Sequence, residues 1–337
     1  MDNLFTGDQW LAYAFVFLMG LSMLIYAILD GYDLGVGILT AKVSDDKQKD
    51  MMIASIGPFW DANETWLILG VGLLLVAFPV AHGIILGALY LPVAFMLFGL
   101  IFRGVAFDFR VKAPSSQKSK WDKAFFAGSF ITAMSQGYML GSYIIGFDQS
   151  FQGIIFSFFI GLCVVAGYCL IGACWLIFKT TDDLQIKSVK WAKLSLIWVA
   201  IGLVVISLTT PLLSERIFDK WFSFPFVLAL LPIPIITAIL VVSLYIVLKN
   251  MPFKNDRLAY LPFIVTVGIF VASFAGLAYS FFPYIVPDQL LITKAAASLE
   301  ALWIMLIGAL IVLPILLGYT ALSYYIFHGK AESLTYD

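Results

Sequence analysis

The sequence predicts an all-α integral membrane protein with nine transmembrane helices, its N-terminus outside and its C-terminus inside. Three observations carry that expectation. The 337 residues are 62% hydrophobic and only 12% charged, with a mean hydropathy of +0.98, well above the range of water-soluble domains. Apolar runs of spanning length recur along the chain with short polar breaks between them. The basic residues of those breaks fall almost entirely on alternate sides.

The nine runs lie at about 9–40, 51–78, 80–106, 122–146, 151–178, 190–213, 222–248, 257–282 and 297–327. The first, third and ninth are longer than a span requires and should tilt or project from the bilayer. No polar break is long enough to form a soluble domain, so residues 1–337 read as one membrane domain. When the breaks are assigned alternately, one side collects Lys42 to Lys49, Arg103 to Lys123, Lys179 to Lys193, Lys249 to Arg257, and Lys330. Of 20 Lys and Arg, only Arg216, Lys220 and Lys294 fall on the other side. The positive-inside rule puts the basic side in the cytoplasm and makes the number of spans odd.

The opening MDNLFTGDQW carries two Asp and no Lys or Arg. Lacking the positive region of a secretion signal, the first run is expected to remain as a span. A net charge of −1 without a basic block argues against a nucleic-acid partner. Cys163, Cys169 and Cys174 share one apolar run at spacings that fit no zinc or iron–sulfur pattern, and read as helix-packing residues.

Ionisable residues concentrate in the first three runs. The first ends LDGYDLGVGILT, with Asp30 and Asp33 on one helix face and Gly31 and Gly35 in a small-xxx-small pattern that lets another backbone approach. The second contains IGPFWDANETWL. Asp61 and Glu64 are three residues apart, about 60° around a helix, and are flanked by Trp60, Asn63, Thr65 and Trp66. Read as one continuous helix from Met51, this run would bury Asp61 about 15 Å deep. An acid at that depth is a candidate for a proton or ion pathway; a purely packing role is the alternative. Gly57-Pro58 just before it should loosen the helix.

The third run ends RGVAFDFR. Arg103 should sit at or just inside the inner interface, where its planar fork could grip a first-run carboxylate bidentately. Asp108 lies between it and Arg110, which is expected to snorkel or to serve topology. Glu300 is an isolated acid at the outer end of the ninth run. The only histidines, His82 and His328, lie at membrane boundaries, His82 on the outer side and His328 at the inner end of the last span. No haem held by paired histidines on neighbouring helices can be built from them.

Taken together, LDGYDLGVG, GPFWDANETW and RGVAFDFR, in this order and across a nine-span chain, resemble subunit II of cytochrome bd-type quinol oxidases. Ala62 stands where that family often has Gly, and Asp108 where many members have Glu. The resemblance implies two four-helix bundles, here 9–146 and 151–282, and a peripheral ninth helix at 297–327. It implies a bacterial cytoplasmic membrane protein partnered with a haem-bearing subunit I, and with a single-span small subunit. Haem b, haem d and the quinol site would belong to subunit I, and this chain alone would hold no cofactor or metal. Subunit II would then support subunit I amid membrane lipid and quinone and line part of the proton path to the oxygen site. The proton-transfer candidates are Asp61, Glu64, Asp30 and Asp33; Trp60, Asn63, Trp66, Arg103, Asp108 and Arg110 are the structural and interface candidates. A proton-coupled secondary transporter is the alternative from another class, although the later spans show no second copy of the polar motifs.

Overall fold

The computed structural model describes residues 9–213, 215–253 and 256–331. Its helices are α1 (Trp10–Leu39), α2 (Asp46–Ile56), α3 (Trp60–Ala77), α4 (Pro79–Ala88), α5 (Tyr90–Lys112), α6 (Ser115–Ile144) and α7 (Phe151–Lys179). They continue with α8 (Asp182–Leu213), α9 (Glu215–Phe222), α10 (Phe226–Leu230), α11 (Pro232–Lys249), α12 (Leu261–Phe281), α13 (Ile292–Ala295) and α14 (Leu299–Ile326). A short antiparallel pair, β1 (Tyr284–Val286) and β2 (Leu290–Leu291), precedes α13.

Among the described residues, eight helical segments are long and apolar enough to cross a membrane. The run at 122–146 is not one of them, although it forms the 30-residue α6. Its polar side chains explain the difference: Ser129, Thr132 and Ser135 lower its hydropathy but are buried against protein.

The run read as a single helix over 51–78 is broken. Pro58 has no N–H to continue the ladder, so α2 ends at Ile56 and α3 restarts at Trp60. The 80–106 run is likewise divided between α4 and α5, and the 222–248 run between α10 and α11. Asp61 therefore lies in the first turn of its spanning helix rather than ten residues into it.

Helix α1 is the axis of the molecule and packs on α3, α6 and α7. Its crossing with α7 depends on small residues. A Cβ on Gly35 would come within 1.8 Å of the Tyr168 carbonyl oxygen, and one on Gly172 within 2.7 Å of the Gly35 backbone. The small-xxx-small reading is thus realised as a backbone-to-backbone crossing. Helix α5 lies on α6, while α7 packs on α8 and α12, α8 on α11, and α11 on α12.

The ends of the structure differ in character. At one end Leu11, Phe15, Phe78 and Ala81 pack with Ile285, Val286 and Ile292 of the hairpin and α13. Arg216 pairs there with Asp288. At the other end Lys49 pairs with Asp122, Lys118 with Asp50, and Lys330 with Asp256. Helix α14 lies outermost, with only Leu302 and Ser323 buried.

Gly35→Ala should strain the α1–α7 crossing against a carbonyl that cannot step aside. We expect destabilisation at the upper part of the ~1–3 kcal/mol typical of overpacking, seen as a lower unfolding temperature in detergent. Gly72→Ala, with nothing within 4 Å of the added carbon, should leave that temperature unchanged or raise it slightly. Equal behaviour of the two variants would show that the crossing is not close-packed.

Candidate functional site

Three helices bring the charged motifs together. Asp30 and Asp33 on α1 are fully buried, and Arg103 on α5 is 1% exposed. One guanidinium nitrogen, Nη1, donates to Asp30 Oδ1 at 2.7 Å and to Glu64 Oε1 at 3.3 Å, while Nη2 lies 4.0 Å from Asp33 Oδ2. The fork straddles carboxylates from two helices instead of gripping one bidentately. Three carboxylates face one guanidinium, so full ionisation would leave two uncompensated charges in a low-dielectric interior. Arg103 Nε and Nη2, Asp30 Oδ2 and Asp33 Oδ1 have no hydrogen-bond partner among the described residues.

Around this centre, Asn63 Nδ2 donates to Asp33 Oδ2 at 2.7 Å and to the Tyr32 hydroxyl at 3.0 Å. The Trp60 ring lies under Arg103, with 5.9 Å from the guanidinium carbon to the ring centroid. A second branch runs sideways: Tyr168 donates to Gln136 Oε1 at 2.7 Å, and Gln136 Nε2 to Tyr26 at 2.6 Å, with Tyr26 beside Asp30. Trp66 is buried, and its indole N–H has no partner among the described residues.

Asp61 is not part of this centre. Asn63 faces α1, and a residue two positions earlier is rotated about 200° around the axis. Asp61 is accordingly exposed, whereas Glu64, with 26% of its side chain exposed, turns back toward Arg103. Its carboxylate remains within electrostatic reach of Asp61. Glu64 therefore stands between an exterior acid and the buried cluster.

Arg110 does not snorkel. It is buried and paired with both Asp50 and Asp122, joining α2, α5 and α6. Asp108 and Glu300 are exposed. Sequence reading missed Asp50 and Asp122 because both sit where a polar break meets an apolar run, beside lysines, and acids there look solvated. It also missed Tyr32, whose position between two aspartates was a usable signal, and Tyr324, which had none.

A haem held between two histidines does not fit the placement of His82 and His328. His82 sits on α4, which follows closely on Ala77, the residue whose carbonyl accepts from the Ala297 amide just before α14, and His328 follows the far end of α14. Twenty-eight residues at 1.5 Å each put about 42 Å between those ends. No group of three or more His, Cys, Asp or Glu suited to a metal occurs among the described residues.

Arg103→Ala should cost about 3–5 kcal/mol, the usual result of stripping one partner from a buried charge pair. The double variant with Asp30→Asn should recover part of that loss. Folded yield and thermal stability in detergent measure both, and simple additivity would refute the pairing.

A family model described as cytochrome bd terminal oxidase subunit II matches residues 11–327. Cytochrome bd ubiquinol oxidase subunit 2 of Bacillus subtilis (strain 168) is 27% identical over 353 residues, covering 98% of each chain. Cytochrome bd-I ubiquinol oxidase subunit 2 of Escherichia coli (strain K12) is 35% identical over 131 residues, 38% of this chain and 35% of that one. A chain in the structure of bd oxidase from Geobacillus thermodenitrificans shares the fold, with a TM-score of 0.72 at 16% identity over 95% of this chain and 99% of that one. The matched region takes in every residue of the buried cluster, and the chain belongs to the cytochrome bd terminal oxidase subunit II family.

Proposed function

We propose that this chain is the haem-free subunit of a membrane-bound terminal oxidase that oxidises a quinol and reduces dioxygen to water with cytoplasmic protons. The observation that carries the reading is the surplus of acid around Arg103, joined to the surface through Glu64 and Asp61. A cluster of Asp30, Asp33 and Glu64 on a single guanidinium has capacity to take up and release a proton without rearranging its helices. Asp61, exposed on a spanning helix, needs a polar neighbour in the bilayer. The subunit I expected for this family is that neighbour. Protons would pass between Asp61, Glu64 and the buried pair, while this chain supports its haem-bearing partner, where haem b, haem d and the quinol site would reside.

The architecture we propose has nine spans, α6 being counted with the eight apolar ones, arranged as two four-helix groups over 9–146 and 151–282 and an outer ninth helix at 297–327. In the first group α1 packs on α3 and α6, and α5 on α6; in the second α7 packs on α8 and α12, and α11 on α8 and α12; the two groups meet where α7 lies against α1 and α6. The end holding Lys49, Lys118, Lys179 and Lys330 would face the cytoplasm of a bacterial cell. A single-span small subunit, quinone and lipid would complete the assembly. Family membership favours this reading over a proton-coupled transporter.

Asp61→Asn keeps the size of the side chain and removes its titratable group. The expected result is an assembled complex with normal haem spectra and much reduced oxygen consumption with quinol as donor. Asp61→Glu should retain part of the activity. Unchanged turnover of the assembled Asn variant across the working pH range would remove Asp61 from the path. The chain expressed alone should bind no haem in stoichiometric amount, which visible absorbance of the purified, folded subunit would test.

A further inference from the structure

Helix α14 buries little of itself, yet one of its side chains reaches the charged centre. Tyr324 stacks on Phe59 with ring centroids 4.6 Å apart. Its hydroxyl lies 2.6 Å from that of Tyr32, 292 residues away in sequence, and donates to Asn63 Oδ1 at 3.3 Å. With Asn63 Nδ2 donating to Tyr32 at 3.0 Å, the three groups can close a ring. The amide N–H donates to Tyr32, Tyr32 donates to Tyr324, and Tyr324 donates back to the amide oxygen. All three bonds then run in one direction, an arrangement in which each polarises the next.

That ring has a consequence for Asp33. An asparagine amide can turn its oxygen and nitrogen end for end. Turned over, Asn63 would present a carbonyl oxygen to the Asp33 carboxylate instead of a donor. The Tyr324 hydroxyl, given an acceptor at Oδ1, holds the orientation in which the second amide hydrogen points at Asp33 Oδ2, 2.7 Å away. We propose that Tyr324, delivered by the last helix, is a positioning residue for the buried acid cluster. It acts through Asn63.

The placement of α14 fits such a task. The Ala297 amide donates to the Ala77 carbonyl at 2.8 Å, joining the start of α14 to the end of α3. At the opposite end Lys179 Nζ donates to the carbonyls of Phe327 and Gly329, and Lys330 Nζ to those of Phe178 and Thr180. A helix with almost no buried face is thus clamped at both ends, and Tyr324 lies in its last turn. The charged groups facing Asp33 are Asp30 from α1, Glu64 from α3 and Arg103 from α5. From α7 and α14 the neighbours are the phenols of Tyr168, beside Asp30, and Tyr324.

The proposal rests on the proton-path reading, and its test separates the two. Tyr324→Phe removes the hydroxyl and keeps the stack on Phe59. In the assembled oxidase, haem content should be unchanged while quinol-driven oxygen consumption falls several-fold and its pH profile moves. Redox-difference infrared spectra should show a shifted carboxylic-acid carbonyl band. Tyr32→Phe should give the same shifts, and the double variant should be no worse than either single one, because both open one ring. Unchanged bands and pH profile in assembled Tyr324→Phe would overturn the proposal, as would additive effects of the two substitutions. Failure of both single variants to assemble would also overturn it, making the hydroxyl pair a structural staple. Asp33→Asn, measured alongside, decides the underlying reading. If it leaves turnover and pH profile intact, the proton path through Asp33 falls, and the infrared bands alone then test the positioning. If it alters them while Tyr324→Phe does not, only the role of Tyr324 falls.

Discussion

A guanidinium with 1% exposure cannot be left without anions, and Arg103 finds them on two other helices. Desolvating an isolated charge costs several kcal/mol even after relaxation, so Asp30, Asp33 and Glu64 are the condition on which α5 can sit where it does. In return, the carboxylates require α1 and α3 to present particular faces at particular heights. The crossing of α1 with α7 at Gly35 and Gly172 answers that requirement from behind. With no side chain between the two backbones, α1 is seated too closely to rotate, and its acidic face remains turned toward α3 and α5.

The break at Gly57-Pro58-Phe59 serves the same centre. A continuous helix would carry the polar segment of α2 into the bilayer. By stopping at Ile56 and restarting at Trp60, the chain leaves α2 at the end of the molecule, where Asp50 meets Arg110. Helix α3 then begins with its acidic turn. The restart sets the rotation that sends Asn63 inward, Asp61 outward and Glu64 between them. One exterior acid, one bridging acid and two buried acids form a graded series from the surface to the buried arginine.

Among the described residues, the carboxylates and the guanidinium of the cluster come from α1, α3 and α5. Neutral groups from α6, α7 and α14 surround them: Gln136, Tyr168 and Tyr324. Neutral donors can orient carboxylates without adding to the charge buried there, and a hydroxyl can act as donor or acceptor.

Hydropathy and charge in the sequence alone determined that this is a helical membrane protein, where its apolar runs lie, and which basic residues share a side. They also brought Asp30, Asp33, Glu64 and Arg103 forward, because an ionisable group in an apolar run is costly enough to stand out against its surroundings. Pro58 announced a weak point in its helix. Tertiary structure decided the rest. Whether Pro58 bends a helix or ends it depends on what receives the freed segment, and that outcome moved Asp61 from the middle of a span to an exposed first turn. Asp50 and Asp122 became partners of a buried arginine only when α2, α5 and α6 met. Tyr324 looks like any aromatic residue in an apolar helix until α14 is clamped beside α3. Local periodicity relates residues three or four apart, whereas the contacts of Tyr324 join positions 261 and 292 apart. Such closures depend on helix rotation and height, which are set by packing between helices and leave no trace in the pattern of any one of them.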